Sequence, residues 1–353
     1  MSTRVHLCEP GWEAPLLDEL RGDLPQSRHE TTAPGWITSH VAELDEPKSP
    51  ILVFVAQTLP NAEMISAASI SQWVDAMGPR VVQVLQDHEG PWRLHLYAIG
   101  DDVSHGRQNL IREGIVQHLK KKQRRLLRTL QADNAASFAE DEAPVQIALR
   151  SPTVGVLSYC LPAERLRLSR CLSEFPGGWM EPAHDRRAPS RAFAKLAEVE
   201  SRMHRAIAKE ETCVDLGASP GSWTWWALER GARVTAVDRS PLRDDLMRHP
   251  QLTFVRGDAF AFEPKAPVDW LLCDVIAFPE RSIELLERWL SKWWCRQFCV
   301  TLKFRGADEY VHLAAAKQML LASGAAFQLR RLSSNKNEVT AFGSVSSPTS
   351  CSC

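Results

Sequence analysis

The chain has no run of about eighteen consecutive apolar residues, which excludes a membrane-spanning helix. Its first residues, MSTRVHLCEPGWE, contain no apolar core of the kind a secretory signal needs, so a cytoplasmic location is expected. Nine cysteines are present, yet none stands in a C-x-x-C pair or at zinc-ligand spacing. Neither a metal site nor a disulfide framework is therefore expected. Cys213, Cys273 and Cys299 fall in apolar strand-like runs as small hydrophobes, and Cys351 and Cys353 close a Ser-rich tail. There is almost no net charge, −1 over the whole chain, so nothing global points to a nucleic-acid or membrane-surface partner. The phosphate-binding patterns G-x-G-x-x-G and G-K-[ST] are also missing. What remains is an ordinary globular composition, 44% hydrophobic and 24% charged over 353 residues, enough for two or three domains. A monomer is the default expectation.

The first half mixes short strands and helices. ILVFVAQ at 51–57 reads as a strand by its β-branched content, and WRLHLYAI at 92–99 alternates as a half-buried strand does. Helical spacing runs through Trp73, Met77, Val81 and Val84, with an interruption expected at Pro79, and a long helix is predicted from about Arg107 to Gln131. Between Arg112 and Leu130 there are seven basic residues and one acid, including Lys120, Lys121, Lys122, Arg124 and Arg125. Taken alone, such a run is a solvated helix face. Residues 166–189, rich in Pro, Gly and Arg, read as a connector. From Thr212 onward strands and helices alternate regularly, which predicts a mostly parallel sheet covered on both faces, with ligands at the carboxyl ends of its strands.

One of those ends carries VDLGASPGSW, residues 214–223. Gly217, Ala218, Ser219 and Gly221 are small enough for a ligand to approach the backbone, Pro220 presets the turn, and Gly221, Ser222 and Trp223 open a helix. Asp215 suits a cationic amino group better than a pyrophosphate. Asp238 ends the next strand, 21 residues after Gly217, where an acid holds a ribose diol; that position fits NAD equally well. Asp258, after the third strand, either caps its own turn or meets an adenine amino group. Three acids at successive strand ends point to S-adenosylmethionine. Asp274 and Lys303 end two further strands and form an opposite-charge pair beside the proposed methyl donor.

APSRAFAKL, VDLGASPGSW, AVDRSP, LLCDV, WLSKWWCRQFCVTLK and NEVT, in that order, resemble the RrmJ/FtsJ-type ribose 2′-O-methyltransferases over about residues 182–343. The resemblance implies a Rossmann-like class I methyltransferase domain with a mostly parallel seven-stranded sheet at 190–343. It also implies a ferredoxin-like unit at 1–65, hinted at by Pro10-Gly11, and a THUMP-like RNA-binding unit at 66–165, while the Ser-rich residues 344–353 read as a flexible tail. Its Lys-Asp-Lys-Glu set falls on Lys195, Asp274, Lys303 and Glu338, and Ser190 joins the donor-binding residues. Ser222 stands where close relatives have a second glycine. The implied reaction is 2′-O-methylation of RNA, at a cytidine of large-subunit ribosomal RNA, with S-adenosylmethionine as cofactor.

A ribose hydroxyl is a poor nucleophile and needs a base, and lysine serves only when its pKa, ordinarily about 10.4, falls. Lys303 is assigned as that base, Lys195 as its like-charge neighbour and substrate orienter, and Asp274 as the group that aligns Lys303. In this setting the basic helix gains an RNA-phosphate reading, and Arg186, Arg187 and Arg191 form a second strip. Seven of the 12 tryptophans fall between 223 and 294, and those on helices, Trp293 included, read as core packing, with Trp179 the better base-stacking candidate. The alternatives are an enzyme acting on a different RNA, a non-catalytic RNA-binding protein on a methyltransferase fold, against which the Lys-Asp-Lys set stands, and a nicotinamide-dependent oxidoreductase, against which the missing G-x-G-x-x-G and Asp215 stand.

Overall fold

Three sheets organise the computed structural model, which describes residues 2–45, 49–100, 102–132 and 137–345. Residues 346–353, including Cys351 and Cys353, lie outside the described residues. The chain divides into two compact units at Trp179/Met180.

In the first unit, β1 (Ser2–Leu7), α1 (Glu13–Asp23), β2 (Arg28–Ala33), β3 (Trp36–Val41) and β4 (Gln57–Leu59) build an antiparallel sheet in the order β2-β3-β1-β4. The strand expected at 51–57 forms only at its end. Residues 51–56 are an irregular, largely buried segment, because acids of α1 take its amides: Glu19 accepts from Val53 and Phe54, and Asp23 from Ile51. Backbone donors met by carboxylates have no need of a ladder. Glu19→Ala is expected to cost about 1–3 kcal/mol, seen as a lower urea midpoint with an unchanged m-value.

The second sheet, β5-β8-β7-β6, is built from β5 (Glu63–Ser66), β6 (Trp92–Ala98), β7 (Ala143–Leu149) and β8 (Val154–Tyr159), with β6 and β7 parallel. Over it pack α2 (Ile70–Val84) and α3 (His105–Lys122), through Trp73, Met77, Val81, Ile111, Ile115 and Leu119. Contrary to the sequence expectation, Pro79 does not interrupt α2. The predicted long helix instead breaks at Gln123 (φ −147°, ψ 64°) before α4 (Arg124–Thr129), and α5 (Pro162–Arg167) follows later.

The second unit begins with α6 (Phe193–Met203) and then alternates: β9 (Thr212–Leu216), α7 (Ser222–Glu229), β10 (Arg233–Asp238), α8 (Asp244–Met247), β11 (Leu252–Arg256), β12 (Val268–Cys273), α9 (Pro279–Ser291), β13 (Cys295–Lys303), α10 (His312–Ala322), β14 (Ala326–Arg330) and β15 (Glu338–Ser344). The sheet order is β11-β10-β9-β12-β13-β15-β14, and β15 runs against both its neighbours, so the sheet is mixed rather than parallel throughout. Strand succession reverses between β9 and β12, which places a crevice beyond the carboxyl ends of these two strands. Trp223 and Trp225 of α7 are core residues and the partly buried Trp226 packs against that core: Phe193 of α6 meets Trp225 edge-on and Trp226 at a tilt. Trp289 is fully buried, whereas Trp293 is exposed in a left-handed turn (φ 54°) after α9, so the packing reading fails for it.

Candidate methyl-donor and proton-transfer site

At the end of β9 the chain turns sharply through two glycines in left-handed conformations, Gly217 (φ 74°) and Gly221 (φ 109°). A Cβ on Gly217 would meet Val275 at 2.8 Å, and one on Gly221 would meet Leu246 at 2.5 Å, so both positions exclude larger residues. The loop's amides are ordered by the acid of the next strand: Asp238 accepts from Ser219 N (3.0 Å) and Ser240 N (2.8 Å). Ser222, the departure from glycine, has a structural role. Its buried hydroxyl lies 2.6 Å from the Ser190 hydroxyl, and Trp223 Nε1 donates to the Ala192 carbonyl, so together they tie the loop to the approach of α6.

Asp215 is buried and accepts a 2.7 Å hydrogen bond from Thr224 of α7, a partner that its place in the sequence did not announce. Burial pushes its carboxyl up to about 7 despite that bond. Asp258 caps its own turn by accepting from Phe260 N (2.9 Å), and Arg239 pairs with its other oxygen at 2.7 Å; the backbone bond first, then the arginine, hold it below the usual carboxylate range.

These elements enclose a cavity of about 380 Å³ lined by Ser190, the loop 217–220, Ser222, Trp223, Asp215, Asp238, Asp274 and Lys303. Three carboxylates face it against one ammonium. A neighbouring cavity of about 220 Å³ shares Gly217, Asp238, Val275 and Ile276 with it and adds Asp258, Phe260 and Arg281.

Lys195, Asp274, Lys303 and Glu338 converge from four elements. Lys195 sits on the first turns of α6, Asp274 follows β12, and Lys303 and Glu338 are register partners at the ends of β13 and β15. Lys195 Nζ donates at 2.8 Å to both Asp274 oxygens and, again at 2.8 Å, to Glu338 Oε1. Burial works against its charge, but the two carboxylates outweigh it and hold its pKa above the ordinary lysine value. Lys303 Nζ donates to the Asp274 carbonyl at 2.7 Å and stands 3.2 Å from Asp274 Oδ1. The Asp274 carboxylate is thus engaged chiefly by Lys195, and its main chain does most of the work of placing Lys303. With a side chain 23% exposed against 7% for Lys195, Lys303 is the more accessible of the two amines.

The basic candidates divide. Lys120, Lys121, Lys122 and Arg124 are exposed at and just beyond the end of α3. Arg125 is anchored on the carbonyls of Leu85, Gln86 and His88, where it closes the end of α2. Arg187 pairs with Asp185 and Glu229, while Arg186 and Arg191 are exposed. The cysteines of the described residues are buried, and burial raises the thiols of Cys213, Cys273 and Cys299. Among the described residues no helix is long and apolar enough to cross a membrane.

A seven-stranded mixed sheet, a glycine-bounded loop after its first strand and acids at the following strand ends define a methyltransferase fold. Residues 188–318, all within the second unit, match the FtsJ-like methyltransferase family model. The chain is similar to curated proteins named Ribosomal RNA large subunit methyltransferase M. It is 40% identical over 137 residues to that of Stutzerimonas stutzeri, covering 36% of this chain and 38% of the relative. Over 170 residues it is 38% identical to that of Azotobacter vinelandii, covering 44% and 47%. The match to that of Pseudomonas putida is 38% over 156 residues, covering 42% of each. The matched stretch spans less than half the length of each relative.

Proposed function

We propose that the protein transfers a methyl group from S-adenosylmethionine to the 2′-hydroxyl of an RNA ribose, with a cytidine of large-subunit ribosomal RNA as target. The observation that carries this reading is the meeting of Lys195, Asp274, Lys303 and Glu338 at the border of a cavity lined by three carboxylates. That donor set suits a ligand with a cationic amino-acid end and a ribose diol, and it is poorly matched to the pyrophosphate of a dinucleotide. In this assignment Asp215 receives the amino group, Asp238 the ribose diol and Asp258 the adenine edge, with Ser190, Ala218, Ser219, Pro220, Ser222 and Trp223 shaping the walls.

When bound, S-adenosylmethionine supplies an electrophilic methyl group on a sulfonium. Lys303 is the group that accepts the proton of the ribose hydroxyl as its oxygen attacks, a role open to an amine only in its neutral form. Lys195, kept charged by Asp274 and Glu338, orients the hydroxyl and stabilises developing oxyanion charge. The displaced proton would end on Lys303 Nζ, the methyl group being what the donor would supply in exchange. The units at 1–65 and 66–165, with Lys120–Lys122, Arg124, Arg186 and Arg191, serve RNA binding in this reading.

Asp215 gives the reading a pH signature. Its folded-state pKa, raised to about 7, lies above the unfolded value, so the free chain loses stability as pH rises through 7. Affinity for a cationic ligand runs the other way, because the ionised carboxylate binds it. Calorimetric binding of S-adenosylhomocysteine is expected to tighten from pH 6 to pH 8, and Asp215→Asn is expected to flatten that profile. A flat profile in the wild type would remove Asp215 from the amino-group site. The target itself is tested by mapping 2′-O-methyl groups in ribosomal RNA from cells with and without the gene. Loss of one cytidine ribose methyl group is expected, and an unchanged map would contradict the substrate.

A further inference from the structure

Lys195 and Lys303 border another cavity, of about 500 Å³, which contains no residue of the loop 217–222. Its wall includes Ser333, Ser334 and Lys336 of the turn between β14 and β15, and the exposed Arg191 lines it as well.

That turn is held from several directions. Ser333 donates through its amide to Glu198 Oε2 (2.9 Å) and through its hydroxyl to Glu198 Oε1 (3.3 Å). Glu198 is buried three residues beyond Lys195 on α6 and is fixed in turn by Arg202 at 2.7–2.8 Å. Arg331 donates to the carbonyls of Asn335 and Lys336, and the Asn335 amide group donates to the Glu338 carbonyl and to Thr340. Within this braced turn the Ser334 hydroxyl is buried and has no hydrogen-bond partner among the described residues. Asn335 Oδ1 beside it is likewise buried without a partner, so the turn, in which Ser334 lines the cavity, holds polar groups that a ligand can satisfy.

We infer that the turn 333–336 is the wall that selects the target nucleotide, an inference that rests on the RNA 2′-O-methyltransferase reading. A nucleotide turned out of a single strand enters this cavity with its 2′-hydroxyl toward Lys303. Ser334 hydrogen-bonds the polar edge of its base, and Lys336 and Arg191 take the flanking phosphates. Glu198 and Ser333 are positioning residues: they fix the wall to the helix that carries Lys195, so that base recognition and proton transfer share one frame.

The test uses the full chain, an RNA substrate, steady-state methylation, and RNA binding by fluorescence anisotropy over a salt series. Ser334→Ala is expected to raise KM for RNA about tenfold, with kcat and S-adenosylhomocysteine affinity unchanged. Lys336→Gln is expected to weaken RNA binding and to reduce the slope of log affinity against log salt by roughly 0.7. Ser333→Ala should raise KM without lowering kcat, a split that mere loss of folded protein does not produce. Unchanged KM in Ser334→Ala and an unchanged salt slope in Lys336→Gln, in a wild type that methylates RNA, would overturn the inference and leave the methyltransferase reading intact. A wild type that binds RNA yet methylates none would overturn that reading, and the salt series would still decide whether Lys336 faces RNA.

Discussion

Lys303→Ala is expected to bind S-adenosylhomocysteine as the wild type does and to lose at least about a hundredfold in kcat, the lower end of what a positioned general base contributes. The expectation follows from the unequal partnerships of the two lysines. Lys303 is held by one carbonyl at 2.7 Å and a single carboxylate oxygen at 3.2 Å, and its amine remains accessible beside the cavity. Removing it leaves Lys195, Asp274 and Glu338 mutually paired, so folding and donor binding should survive. Single-turnover methylation and calorimetric binding on the same preparation separate the two effects. Retained activity would exclude Lys303 as the base.

Lys195→Ala should fail differently. Its ammonium is the shared counter-charge of Asp274 and Glu338, whose side chains are only 17% and 13% exposed. Its loss leaves two carboxylates close together with Lys303 alone to balance them, and a cost of about 2–4 kcal/mol is expected once partial solvent screening is allowed for. The urea midpoint should fall along with kcat, in contrast to Lys303→Ala. Equal urea midpoints for the two variants would contradict the charge arrangement described.

The loop at 217–222 was legible because everything that shapes it is local. Two glycines four residues apart, a proline between them and an acid at the strand end specify a tight turn with a carboxylate at its base, and Gly217, Gly221 and Asp215 take those places. Strand and helix alternation beyond Thr212 was legible for the same reason. The convergence of Lys195, Asp274 and Glu338 was not, because it joins residues up to 143 positions apart and depends on β15 reversing direction beside β13; only family resemblance brought them together beforehand. Segment 51–56 misled because the partners of its amides are Glu19 and Asp23, about thirty residues away on another element. Arg125 looked like one more cation in a basic run until its guanidinium was found on the carbonyls that end α2. The turn at 333–336 gave no signal at all, since its importance lies in Glu198, on a helix 135 residues upstream.

The central claim is tested most directly by giving the purified chain S-adenosylmethionine labelled in its methyl group together with large-subunit ribosomal RNA from cells lacking the gene, then digesting the RNA with alkali. A 2′-O-methyl group removes the hydroxyl that alkaline cleavage requires, so a ribose-methylated site survives as a labelled dinucleotide. The account predicts one such dinucleotide, beginning with cytidine, formed by the wild type and absent with Lys303→Ala. Label in mononucleotides, which marks methylation of a base, or no transfer at all from a protein that binds S-adenosylhomocysteine, would contradict it.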